Sequence, residues 1–359
     1  MAWTVIIFII VLLILVLAHE FGHFVFAKWA QVRVEEFAFG FPPRIVSIKK
    51  GDTNYSFNLI PLGGYVKLQG EEGENASDPR SFSSQKFGVK VLIIAAGVLF
   101  NLLFAYILIS AGYVIGTPIP IDDSISNARA EIRLIEIQKN SPASATDLKV
   151  GDVLLSLASP TGQIDASSLK AVRDFIALNK GGNLIVKIRR GSEMLEKRAN
   201  LRREIKEGEG ALGIVMSKIG IEKLGLASAL KQGFKDTAEL TYFTATNLIK
   251  FFGELFGGRA SFEEVSGPIG IAKVVGDYSQ FGIAFLIKLI ALLSISLALI
   301  NIVPFPGLDG GRIAIAVIEK IKGSPFHWKT NQIVNFTGLV LLIILVIVIS
   351  YHDILKFAS

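Results

Sequence analysis

The chain has 359 residues, of which 51% are hydrophobic and 19% charged, and its net charge is +6. That balance is too apolar for an ordinary soluble protein of this length, and a modest charge with no basic run interleaved with aromatics argues against nucleic-acid binding. The absence of cysteine excludes a disulfide framework and any thiolate-held metal, and leaves the compartment open.

Four apolar stretches, 3–27, 89–115, 281–303 and 333–351, approach the roughly 20 residues that a membrane helix needs. The first has no basic residue before Lys28 and outlasts the core of a signal peptide, so it reads as a retained anchor. Inside it lies "AHEFGHFVFAK", which sets His19, Glu20 and His23 in hydrocarbon. Residues four apart share a helical face, so both imidazoles can aim at one point. Two His at that spacing, with Glu after the first, form a zinc-hydrolase arrangement: two nitrogen ligands, and a carboxylate placed to take a proton from the water that the metal activates. The alternative is a trio that merely ends an interfacial helix in solvent. An ionised group at mid-helix costs about 2.5–3.5 kcal/mol on insertion scales, which weighs against decoration. His19 lies nine residues before Lys28, about 13 Å at helical rise.

Between the first two apolar runs, "VRVEEFAFGF", "RIVSIKK", "NYSFNLI" and "GYVKLQG" alternate as strands do, broken at Pro42–Pro43 and Gly63–Gly64. Paired hairpins close to the first helix are expected. In the second run, Ala96 and Gly97 admit a neighbouring helix. Asn101 reads either as an amide for substrate or oxyanion, or as an interhelical hydrogen bond.

Residues 124–217 read as a compact α+β domain: strands at "AEIRLIEI", "VGDVLLSL" and "NLIVKIRRG", a short helix at "SPASATDL", and a helix in "DASSLKAVRDFIALNKGG" with Asp165 available as N-cap. From 223 to 257, Leu226, Leu230, Phe234, Leu240, Phe243, Ile249 and Phe252 recur at helical spacing among lysines, which predicts an amphipathic helix on the membrane or against other helices.

The third apolar run ends "LALINIVPFPGLDGGRIAI". Its prolines and glycines break the helix at membrane depth around Asp309, and irregular backbone there is tolerated only under cover of protein or a water-filled cavity. Asp309 is thus well placed to complete a zinc site that wants three protein ligands. The competing reading is a cytosolic turn with Asp309 as a helix N-cap. Asn301, just before the break, offers an amide to substrate or oxyanion, or an interhelical bond. Eight Lys or Arg fall between Lys28 and Lys86, and four between Arg312 and Lys329. The positive-inside rule then puts both loops in the cytosol and both termini outside.

With "HEFGH" in a first helix, "GVLFN" in a second and "NIVPFPGLDGG" in a third, the chain resembles the site-2 protease family of intramembrane zinc metalloproteases. "IPLGGYVKL" and "SGPIGI" are similar to its bacterial branch, the regulator of sigma-E protease group, and "SPASATDLKVGDVLLSL" resembles the helix-turn-strand of a PDZ domain. Val98 and Arg312 depart from residues common in the family.

The resemblance implies a polytopic α-helical membrane protein with four transmembrane helices, membrane-associated β-hairpins and one inserted α+β PDZ-like domain. It implies a Zn2+ metalloendopeptidase in a bacterial cytoplasmic membrane, with its active site toward the cytosol. His19, His23 and Asp309 would be metal ligands, Glu20 the general base, and Asn301, Pro304 and Pro306 the substrate-facing segment. Its partners would be single-pass membrane protein substrates (anti-sigma factors or remnant signal peptides), the lipid bilayer, and a peptide or protein ligand of the PDZ-like domain. The expected plan is a first helix over 1–32, a cytosolic hairpin region 33–88, a second helix 89–117, the outside domain 124–217, the amphipathic helix 223–260, a third segment 281–320 and a fourth helix 333–353. Two other readings stand beside it: a non-catalytic membrane PDZ adaptor, and an ion pathway with His19, Glu20 and Asp309 as relay groups.

Overall fold

The structure is a computed structural model that describes residues 2–71, 73–74, 77–123, 130–204, 210–259 and 266–358. Of the expected inserted domain, 124–129 and 205–209 lie outside the described residues, as does 260 in the expected amphipathic helix. The chain divides into two compact units: 1–111 with 227–276 and 287–359, and 112–226 with 277–286.

Among the described residues four helices are long and apolar enough to cross a membrane: α1 (Ala2–Trp29), α2 (Phe87–Ile115), α6 (Ile283–Asn301) and α8 (Trp328–Ala358). At 1.5 Å per residue the 28 residues of α1 reach about 42 Å, more than a hydrocarbon core about 30 Å thick. Along α8, Ile333, Phe336, Ile343 and Ile347 are exposed, a surface suited to lipid rather than water. The helices meet through small residues. A side chain at Gly22 would collide with the Ala96 carbonyl, so α1 and α2 cross backbone to backbone. Gly233 on α4 (Leu226–Phe256) likewise sits against Ser110 of α2.

Between α1 and α2 run β1 (Val34–Lys50) and β2 (Thr53–Leu68), an antiparallel pair that folds over on itself. Val34–Phe39 lies beside Leu68–Gly64, Glu36–Phe39 also lies beside Asn54–Phe57, and Arg44–Lys50 turns back along Asn58–Thr53. The four strand segments expected from the sequence therefore exist as parts of two long strands. Lys28 Nζ donates to Thr53 Oγ1 (2.8 Å), which donates to Val34 O (2.9 Å), tying the sheet to the end of α1. The inner half packs Val34, Val66 and Leu68 against Ala27 and Ile93, while the outer half leaves Ile45, Val46, Ile48 and Leu59 exposed. α5 (Pro268–Gln280) is tied at its start to α8, where the buried Asp353 carboxylate accepts from Gly270 N at 2.8 Å.

The second unit is built on a seven-stranded sheet of order β3 (Thr117–Pro120), β9 (Ile214–Glu222), β4 (Glu131–Ile137), β5 (Val153–Ser159), β7 (Asn183–Arg190), β8 (Glu193–Asn200), with β6 (Gly162–Asp165) on β5. Alternate residues Leu184, Val186 and Ile188 of β7 are fully buried, the period expected of a half-buried strand. They meet Val172 and Ile176 from the amphipathic helix α3 (Leu169–Leu178), and Leu134, Leu154 and Leu157 complete the core. Two local expectations are corrected. Asp165 ends β6 and is not the N-cap of α3: Ser168 is, its hydroxyl accepting from Ala171 N at 3.2 Å, because pairing of Asp165 with Ser156 holds it in the sheet. "SPASATDL" forms only a 3-10 turn at Ser144–Thr146, ended by left-handed Asp147 (φ 56°).

Candidate metal centre and active site

His19 and His23 stand one turn apart on α1, and their Nε2 atoms lie 3.2 Å from each other. Asp309 arrives from far along the chain. α6 ends at Asn301, the following residues run irregularly, and α7 (Asp309–Lys322) begins with Asp309 in its first turn, where a helix dipole favours a carboxylate. Its N-cap position is Leu308, so Asp309 is not the cap. The chain doubles back this tightly because Gly310 would strike the Ile302 and Val303 carbonyls, and Gly311 the Phe305 carbonyl, if either carried a side chain. The fold-back sets Asp309 Oδ2 at 3.1 Å from His19 Nε2 and 3.3 Å from His23 Nε2.

The three atoms thus form a near-equilateral triangle. In tetrahedral zinc with bonds of 2.0–2.1 Å, ligand atoms stand about 3.3 Å apart. His23 Nδ1 donates to the Ile93 carbonyl at 2.9 Å, which leaves Nε2 of the neutral ring as a bare acceptor facing a carboxylate oxygen. Asp309 Oδ2 is buried and, among the described residues, makes no hydrogen bond of proper geometry. Acceptors converging at this separation fit a cation between them. Among the described residues, these three are the cluster of His, Asp and Glu close enough to hold a metal.

The triangle opens on a cavity of about 580 Å³, whose lining also includes Glu20, Asn301, Val66, Arg312 and Asn335. Glu20 Oε2 accepts from Val66 N (2.9 Å), so the β2 strand holds the carboxylate that follows the first histidine. Asn301 Nδ2 lies 3.4 Å from His19 Nε2, at the edge of the triangle. Pro304 is exposed, Pro306 is half-buried with its carbonyl against Gly338 of α8, and neither lines the cavity. Sequence reasoning did not single out Glu71, whose carboxylate pairs with Arg312 across the cavity and accepts from Leu68 N (3.3 Å). Nor did it find the Ile93 carbonyl, since a backbone acceptor has no sequence signature. Asn101, left open between two roles, is fully buried with Nδ2 at 3.3 Å from His19 Nδ1.

The second unit has a groove of about 390 Å³ between α3 and the stretch from Gly210 to Met216, with Arg173 and Lys180 in its lining. β3 pairs with β9 only from Ile219 onward, so the edge of β9 over Ile214–Ser217 away from β4 is uncovered by β3.

Compared with known proteins, the chain matches the model of peptidase family M50 over residues 7–345. It is 33% identical over 347 residues to a "Putative zinc metalloprotease" of Clostridium perfringens, covering 95% of each chain. It is also 27% identical over 434 residues to "Zinc metalloprotease RasP" of Geobacillus kaustophilus, covering 99% of this chain and 98% of that one. A match across nearly the whole length, including both segments that build the triangle, assigns the family: the chain belongs to peptidase family M50, the site-2 proteases.

Proposed function

We propose that this protein is a zinc-dependent intramembrane endopeptidase that hydrolyses peptide bonds in or near transmembrane segments of other membrane proteins. The observation that carries the reading is the His19–His23–Asp309 triangle, with Glu20 beside it and one cavity open to all four. The family and the metalloprotease names of its relatives support the same chemistry. When bound, zinc supplies a Lewis acid that polarises the scissile carbonyl and makes water a nucleophile at neutral pH.

The roles of the chain's own residues follow. His19, His23 and Asp309 hold the metal. Glu20 takes the proton of the attacking water and returns it to the leaving amine. The Asn301 amide is within reach of the developing oxyanion and donates to it. Pro304 and Pro306 shape the irregular backbone that carries Asp309, next to bound substrate. The cavity-facing edge of β2, over Gly64–Leu68, receives the substrate as an added strand whose carbonyls displace Glu20 and Glu71 from the Val66 and Leu68 N–H groups, which exposes its peptide bonds. The exposed apolar half of the hairpins and the amphipathic α4 rest on the membrane. With the basic loops on the cytosolic side, as the positive-inside rule favours, the metal site faces the cytosol and both termini lie outside. The sheet-rich unit acts as a PDZ-like filter outside, admitting substrates trimmed by an earlier cleavage. A peptide strand on the open edge of β9, beside Arg173 and Lys180, fits such a role.

Cleavage of a single-pass substrate in detergent tests the enzyme reading. Glu20→Gln should lose about 10²–10⁴-fold in rate while keeping its metal, and a chelator should stop the wild type. A membrane adaptor would be indifferent to both treatments, and an ion pathway would show flux without peptide products.

A further inference from the structure

One buried group beside the metal triangle remains unassigned. Asn101 is fully buried on α2, and its amide lies 3.3 Å from Nδ1 of His19, the ring nitrogen that faces away from the triangle. Among the described residues its Oδ1 has no hydrogen-bond partner. The tie between α2 and α6 at this level is made by the backbone, because Ser294 Oγ donates to the Asn101 carbonyl at 2.8 Å. The Asn101 side chain is therefore not what joins those two helices; it addresses the histidine.

Proton counting decides how. If His19 gives Nε2 to a metal, its neutral ring must carry the proton on Nδ1, which then needs an acceptor. An Asn amide fills the same outline with oxygen and nitrogen exchanged, and the hydrogen-bond network selects which end faces the ring. Half a turn of the amide satisfies Nδ1–H and the otherwise orphaned Oδ1 together. His23 already has the equivalent arrangement, with Nδ1 donating to Ile93 O at 2.9 Å. Ile93, Gly97 and Asn101 are spaced four apart on α2, so one helix face serves both rings: a carbonyl, a gap and an amide.

We propose that Asn101 is a positioning residue for the metal centre, its amide oxygen accepting the Nδ1 proton of His19 and thereby fixing the orientation and tautomer of that ligand. Outer partners of this kind are usually carboxylates, backbone carbonyls or waters, and they raise metal affinity by holding the imidazole ready. A neutral amide does so without adding a third carboxylate to a site that already contains Asp309 and Glu20.

The inference rests on the metal reading above, and its test separates the two. Full-length wild type, Asn101→Asp and Asn101→Leu are purified in detergent, loaded with Zn2+, and titrated with a competing chelator while metal per chain is measured. Asn101→Leu should bind zinc about 10–100-fold more weakly than wild type. Asn101→Asp, whose carboxylate is the stronger acceptor, should bind at least as tightly. A role in packing alone predicts the reverse order, since leucine suits an apolar interior better than a buried carboxylate. Wild-type affinity in the Leu variant, or a loss in the Asp variant, overturns the proposal. Should the Leu variant fail to fold, the Asp variant decides alone by the same criterion. A wild-type chain that holds no zinc overturns the metal reading, and this inference with it.

Discussion

A methyl group is the smallest probe of how closely α2 approaches the two histidines. Gly97 faces both rings, and a Cβ there would sit 2.5 Å from His23 Nε2 and 2.7 Å from His19 Cε1. The neighbours cannot give way: the rings are held from behind by Ile93 and Asn101, and α1 is already in backbone contact with α2 at Gly22 and Ala96. Gly97→Ala should therefore force the ligands apart, at an overpacking cost of about 1–3 kcal/mol. That corresponds to about 5–150-fold in zinc affinity, measurable by chelator competition, with cleavage lost in parallel. Gly88, at the start of the same helix, has open space around its missing side chain, and Gly88→Ala should leave both measurements unchanged. Equal affinity in the two variants would mean that the close approach has no bearing on the site.

At the scale of elements, what could be read in the sequence was whatever periodicity and chemical cost announce. Among the described residues the four apolar helices could be read from length and hydropathy alone, and the ionisable trio and the broken stretch around Asp309 because each sets polarity in hydrocarbon at a cost. Asp309 could be matched to histidines nearly three hundred residues earlier only by that cost, never by spacing. β8 was not foreseen because "EMLEKRAN" is too charged to read as a strand, yet it pairs along its whole length with β7. The cap of α3 was misplaced by three residues for a related reason: Asp165 and Ser168 are both good caps, and tertiary pairing of β6 with β5 chooses between them.

The same helix start carries a non-local cap that no local rule reveals. Asp123 accepts from Leu169 N (2.8 Å), Lys170 N (3.0 Å) and Ser168 Oγ (2.8 Å). The bond from Lys170 N, with those from Leu169 and Ser168 and the nearby Lys218 charge, lowers its pKa to about 2 despite some desolvation. A carboxyl depressed in the folded state stabilises fully above its unfolded pKa of about 3.9, and that contribution is lost as pH falls from there through about 2. Asp123→Asn should thus loosen α3 at neutral pH by about 1–2 kcal/mol, read as faster amide exchange at Ala171 and Val172. The gap between variant and wild type should close over the acid window. A gap that persists unchanged to pH 2 would show that the carboxylate charge is not what matters.

For the molecule as a whole, the second unit can be removed at a natural seam. Thr117 pairs with Glu222, the outermost pair of the β3–β9 ladder, so the chain enters and leaves this unit at neighbouring points. Paired Cα atoms stand about 4.5–5.5 Å apart, a span that two glycines bridge. The expected boundaries of 124 and 217 would have cut through β9 and stranded β3; excision of 118–221 spares both ends. Phe281 and Phe285, from the 277–286 stretch of the same unit that the excision leaves behind, pack one ring against Gly151 and the other under the Arg133 guanidinium at 5.1 Å, so both should become serine in the same variant. Every residue of the metal triangle and its cavity lies in the first unit, so the excised chain should still bind zinc and cut a short single-pass substrate. If the unit is a filter, intact substrates with a folded outer domain, which the full chain leaves alone, should now be cleaved as well. Retained zinc with no cleavage of either substrate would instead make the unit part of the catalytic apparatus, and unchanged selectivity would assign the filtering elsewhere.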